Sequence, residues 1–204
     1  MCEAAGRYRP RPLNAVKLLL RVRATLDHTL PGSAHQNQNM EILNHGRRLV
    51  AFGLLAGALG GVAGGVSKLV GELIYPPRTQ GQKPPPAILA EKVAGHSLSK
   101  PLQTLATQAF HWTFSVGIGA VYGAAAEFAP IVTAGYGIVF GEVVLLSTHE
   151  SILPLLGLNE PPLQQPAREQ KSEILTHAMY GMSVEAVRRL LMRRWKRRSA
   201  IAAS

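Results

Sequence analysis

Two stretches of the chain carry no charge at all. Leu49–Ser67 runs for 19 residues without Asp, Glu, Lys or Arg, and Pro101–Ala126 runs for 26. A bilayer core of about 30 Å takes about 20 apolar residues in a helix. The pattern therefore predicts membrane-spanning helices over about 49–70 and 105–126. A third apolar stretch, about 130–149, is interrupted only by Glu142, and a fourth, about 173–191, contains His177 and Glu185. Helices of a soluble bundle would show charged outer faces, and the first two stretches have none. The fold class expected is all-α, an integral membrane bundle of four transmembrane helices.

Charge then supplies the orientation. The net charge is +10, with 22 Lys and Arg against 12 Asp and Glu. Eight of the basic residues precede Leu49 and seven lie between Arg188 and Arg198, while the connections at 71–104 and 150–172 are dilute. Lys and Arg flanking short spans mark the cytoplasmic side, so both ends are expected inside (N-in/C-in) and both dilute loops outside. Basic clusters beside a span attract anionic lipid. That accounts for the charge, and no nucleic acid is expected as a partner because no reading motif or aromatic interleaving appears. A lone cysteine, Cys2, excludes intramolecular disulfides and Cys-based zinc sites.

Three regions follow. Residues 40–195 form the four-helix transmembrane domain and 196–204 a basic tail. Residues 1–39 are an extension, either disordered or a basic amphipathic helix over about 13–30 on the membrane surface.

Gly53, Gly57, Gly61 and Gly65 recur every four residues in the first span. Small residues let helix backbones approach in lipid, where apolar contact brings little gain, so these are expected helix-packing positions. Whether they meet another helix of the same chain or a second copy is open, and a homo-oligomer is one of the alternatives. They fit neither G-x-G-x-x-G nor G-x-x-x-x-G-K-[ST], the phosphate-binding patterns.

Ionisable side chains inside spans are costly and so are candidates for function. Placed by depth, Lys68, Glu72, His111, His149, Glu150, Glu173 and His177 fall in the outer third, and Glu142 lies seven residues before His149 on a predicted common face. The bland readings are that Lys68 and Glu72 form an i,i+4 pair snorkelling to the interface, that His149 and Glu150 mark a helix end, and that Glu185 is neutralised by Arg188 or Arg189. A His/Glu seam can respond to or relay protons. A metal site lacks an H-x-x-x-H or H-E-x-x-H pair, and hydrolysis lacks a nucleophile elbow. No catalytic, cofactor-binding or metal-ligating residue is assigned, no cofactor is expected, and the chain is not expected to be an enzyme.

The order of short motifs resembles the YagU-like inner-membrane proteins of bacteria, a largely uncharacterised group. The matching residues are Gly53-Leu54-Leu55-Ala56-Gly57, then Lys68, Glu72 and Pro76-Pro77-Arg78. His111 to Ser115, Tyr122 to Glu127, His149, Pro154, Gly157-Leu158 and Pro161-Pro162 follow, and the series ends with Glu173, His177, Glu185 and Arg188-Arg189. The resemblance covers about residues 40–195 and implies a multi-pass protein of the bacterial inner membrane without supplying an activity. A short first outer loop and the residues before Met40 depart from the family pattern, and Met40 is expected to be the natural start. The function expected is a small inner-membrane protein with a proton-responsive role in acid tolerance. A transporter or channel subunit and a metal-binding membrane protein are the alternatives.

Overall fold

The computed structural model describes residues 31–78 and 82–202, and among them every regular element is helical. The chain divides into two compact units, Met1–Arg47 and Arg48–Ser204. In the first, the described residues are helical and Met40, Ile42 and Leu43 are exposed. The expected surface helix over 13–30 lies outside the described residues.

The second unit takes its helices in the order α1 (Pro31–Ile74, contributing from Arg48 on), α2 (Pro85–Ala94), α3 (Lys100–Phe128), α4 (Ile138–Ser147) and α5 (Ala167–Ala202). Helix α2 occupies the first dilute loop. Prolines in its first turn suit the fixed φ of that position, and Gly95, at φ 72°, closes it in the left-handed conformation.

Among the described residues, two stretches are long and apolar enough to cross a membrane, Gln38–Ile74 and Pro130–Leu155. The third apolar stretch is not one helix from residue 130, as the pattern predicted. Pro130–Gly137 is a 3-10 segment broken at Ala134, Gly135 and Tyr136, and the α-helix begins at Ile138. A π turn, Thr148–Ile152, then carries the element on to Leu155, so His149 does not mark a helix end. The basic tail is likewise a continuation of α5, which runs through Lys196, Arg197 and Arg198 to Ala202.

Glycine sets the packing. The stripe Gly53, Gly57, Gly61 and Gly65 lies against Gly123, Gly119 and Ser115 of α3, while Gly60 and Gly64 lie against Val184 and Tyr180 of α5. A Cβ on Gly53 would stand 2.7 Å from the Gly123 carbonyl oxygen, and one on Gly60 2.7 Å from that of Val184. Helix α1 is thus wedged between two neighbours at backbone contact. Gly137 and Gly141 bring α4 against Gly181 and His177 of α5 in the same way. The glycine contacts predicted from sequence are made within one chain.

Burial runs opposite to that of a soluble core. The largest fully buried side chains are Glu173, Glu185, Val184, Thr176 and Ser172, whereas Leu54, Leu55, Leu59, Val62, Val66 and Val70 of α1 are exposed. Between these extremes sits a small aromatic core in which Tyr122 stacks on Phe140 at 4.0 Å and Tyr180 and Val184 close the layer.

Candidate functional site

Lys68 stands one residue beyond the uncharged stretch of α1. Its ammonium lies 2.8 Å from Glu72 Oε1, one turn on, and 2.8 Å from Glu173 Oε2 of α5, and it donates to Thr176 Oγ1 at 3.1 Å. A snorkelling lysine would turn outward, but this side chain is only 11% exposed. The expected surface pair exists, yet the ammonium is held inward by a buried carboxylate.

Glu173 is fully buried. Its Oε2 takes Lys68, and its Oε1 faces His149 Nδ1 across 3.6 Å. That separation is too long for a hydrogen bond, and neither atom has a hydrogen-bond partner among the described residues. His177, one turn after Glu173, places Nδ1 2.8 Å from the Glu173 carbonyl oxygen and 3.4 Å from Oε2. The Lys68 ammonium also lies 3.5 Å from this nitrogen, but the closest neighbour, the Glu173 carbonyl oxygen, accepts, which assigns the proton to Nδ1 and the lone pair to Nε2. The His149 and His177 rings meet edge to face, 5.1 Å between centroids. One donor atom from each of His149, Glu173 and His177 lies within 4.8 Å of the others, and this triplet is the one group among the described residues that could hold a metal ion.

His111 joins from α3. It is half-buried, its Nε2 lies 3.3 Å from the Gly65 carbonyl oxygen, and Glu72 and Lys68 are its charged neighbours. Lys68, Glu72, His111, His149, Glu173 and His177 all line one cavity of ≈ 230 Å³, whose apolar wall includes Phe110 and Phe114. Six of the seven expected cluster residues therefore converge. Glu142 does not. It is half-buried on α4 without a hydrogen-bond or ion-pair partner among the described residues, away from the cavity. Its alignment with His149 presumed an unbroken α-helix, and the π turn at Thr148 changes the register.

Three contributors lay outside the expected cluster, although Arg78 was among the motif residues. Arg78, also on the cavity, places a guanidinium nitrogen 3.6 Å from buried Glu169, and Ser172 donates to the Tyr75 carbonyl. Thr176 was the third, and its i+3 spacing from Glu173 was the signal available.

At the other end of α5 a second network is closed on itself. Glu185 accepts from Tyr122 Oη at 2.8 Å, from Arg188 Nε at 2.7 Å and from Arg189, while Arg188 also donates to Glu127 at 2.8 Å. Both arginines neutralise Glu185, where one or the other was expected. All of its partners are satisfied, so it reads as a structural tie and the cavity as the site.

A family model described as protein of unknown function (DUF1440) matches residues 62–186. The inner membrane protein YagU of Escherichia coli (strain K12) is 32% identical over 97 residues, 45% of this chain and 48% of that protein. The chain thus spans about half the length of the curated relative it matches. No solved structure matches it.

Proposed function

The chain belongs to the family described as protein of unknown function (DUF1440), and from that premise we propose that it is a multi-pass protein of the bacterial inner membrane, crossing four times with both ends in the cytoplasm. Support comes first from the inverted burial: carboxylates inside and Leu and Val outside suit lipid as the surrounding solvent. The 29 residues of α3 extend about 43 Å at 1.5 Å per residue, and the longer α5 extends further, enough for a span in each. The arginines that follow Glu185 favour an inner position for that end of α5, which leaves the cavity toward the outer face. Lipid, anionic at the basic ends, is the partner this reading requires.

The role we propose is a response to external acidity, in keeping with acid tolerance, centred on His111. The observation that carries it is the meeting of His111 with Lys68 and Glu72 on one cavity. His111 donates Nε2–H to the Gly65 carbonyl, so Nδ1 is free to take a proton from the cavity. The charged and titratable groups lining that cavity are Lys68 and Glu72 from α1, Arg78 just after it, His149 from the π turn that follows α4, and Glu173 and His177 from α5. A cation at His111 competes with Lys68 for Glu72. Lys68, equidistant between Glu72 and Glu173, is the element whose balance then shifts. We read the role as non-enzymatic, since Ser115 and Ser172 commit their hydroxyls to backbone carbonyls.

Trp112, whose ring meets that of His111 edge-on at 5.2 Å, supplies a reporter. In liposomes, a Trp195→Phe chain should show Trp112 emission that changes as the pH is lowered and His111 takes up a proton. His111→Gln should abolish the titration and lower survival of cells in acid. A flat profile in the parent, or full survival with the variant, would sink this role.

A further inference from the structure

We infer that His149, Glu173 and His177 form a binding site for a divalent transition-metal ion of the zinc class, reached through the cavity. This goes beyond the acid response, in which His111 is the operative group, and the two can fail separately.

The donor set is two imidazoles and one carboxylate, which suits zinc-class ions, whereas Mg²⁺ and Ca²⁺ require mostly oxygen. The geometry is close to what such an ion needs. Two ligands bound at about 2.0–2.1 Å on a tetrahedral ion lie about 3.3 Å apart. His149 Nδ1 and Glu173 Oε1 are already 3.6 Å apart, and one donor atom from each of the three residues falls within 4.8 Å of the others.

Those two atoms are also the unsatisfied ones. Buried polar atoms without partners are rare in a folded protein, and here two face each other. A proton cannot be shared well across 3.6 Å, whereas an ion between them would satisfy both.

The surroundings supply the supporting contacts of a metal site. Lys68, itself steadied by Thr176 Oγ1, holds Glu173 from the Oε2 side, leaving Oε1 to the ion, and the Glu173 carbonyl holds His177 Nδ1–H. Such outer contacts fix ligand orientation and tautomer. Charge agrees as well: the three carboxylates Glu72, Glu173 and Glu169 face two cations, Lys68 and Arg78, so these groups carry one net negative charge when the histidines are neutral. Three protein ligands leave a fourth position open toward the cavity, an arrangement that serves exchange of an ion or contact with a small molecule.

The test uses the full chain in detergent, stripped with chelator and titrated with Co²⁺ alone. One ion per chain should bind, with the visible absorption of a four- or five-coordinate site. X-ray absorption of the loaded chain should show two imidazoles and an oxygen ligand. His149→Gln should weaken binding by at least about 100-fold, while His96→Gln, at an exposed residue, should leave it unchanged. No saturable binding, an all-oxygen ligand set in the intact chain, or undiminished binding in a folded His149→Gln chain would overturn the site. Because the absorption spectrum is read on the intact chain, a variant that fails to fold does not rescue the proposal.

Discussion

The ammonium of Lys68 lies 2.8 Å from Glu173 Oε2, and 105 residues of chain separate the two. This contact joins the carboxyl-terminal end of α1 to the start of α5 on the cavity wall, where Glu173 also faces His149 and His177.

Removing one member of this pair should be worse than removing both. Lys68→Met leaves the Glu173 carboxylate buried without its cation, a loss of about 3 to 5 kcal/mol for a buried pair. The double variant Lys68→Met, Glu173→Gln should recover much of that loss. Thermal unfolding in one detergent across the full mutant cycle measures the coupling, and additive losses would show that the two residues act separately.

The glycine seam should divide sharply by position. Gly60→Ala puts a methyl group 2.7 Å from the Val184 carbonyl oxygen and should cost about 1 to 3 kcal/mol. Gly117 faces open space, so Gly117→Ala should be neutral or stabilising by up to about 1 kcal/mol. Equal effects on the unfolding temperature would contradict the packing.

The second network should behave as structure. Tyr122→Phe removes one hydrogen bond to Glu185, worth about 1.5 to 3 kcal/mol to a charged acceptor. It should lower the unfolding temperature while leaving Trp112 titration and Co²⁺ binding unchanged. A change in either readout would bring this network into the functional site.

Outside the spans, Glu91 ties α2 to the start of α3. Hydrogen bonds from Lys83 and the Leu98 amide hold its carboxyl below the usual carboxylate range, and Gln103 adds a third donor. A lowered folded value means that the stabilisation is present above the ordinary glutamate pKa and fades as pH falls through the lowered value. Hydrogen exchange at residues 95–103 should therefore quicken only in strong acid, and Glu91→Gln should give the quick rate at neutral pH. Acid-insensitive exchange would show that the tie contributes nothing.

The same physics explains what was legible in the chain. Lys68, Glu72, His111, His149, Glu173 and His177 could be assembled from depth alone, because an ionisable group in an apolar run has few places to go and the runs imposed a common level. Glu142 failed the same logic, since depth and a seven-residue spacing do not survive a π turn. Nor could spacing tell that Lys68 turns inward: that depends on Glu173, which enters from the far end of the sequence.

The amino-acid sequence by itself determined the helical class, the family and the glycine stripe. Each is a local consequence of apolar runs, motif order and residue size. Tertiary structure alone decided which helices the glycines meet, that a 3-10 segment precedes α4, and that His149 Nδ1 and Glu173 Oε1 face each other unsatisfied. Those outcomes depend on distances between residues far apart in the chain, and such distances are set only when the close-packed glycine faces bring the helices to backbone contact.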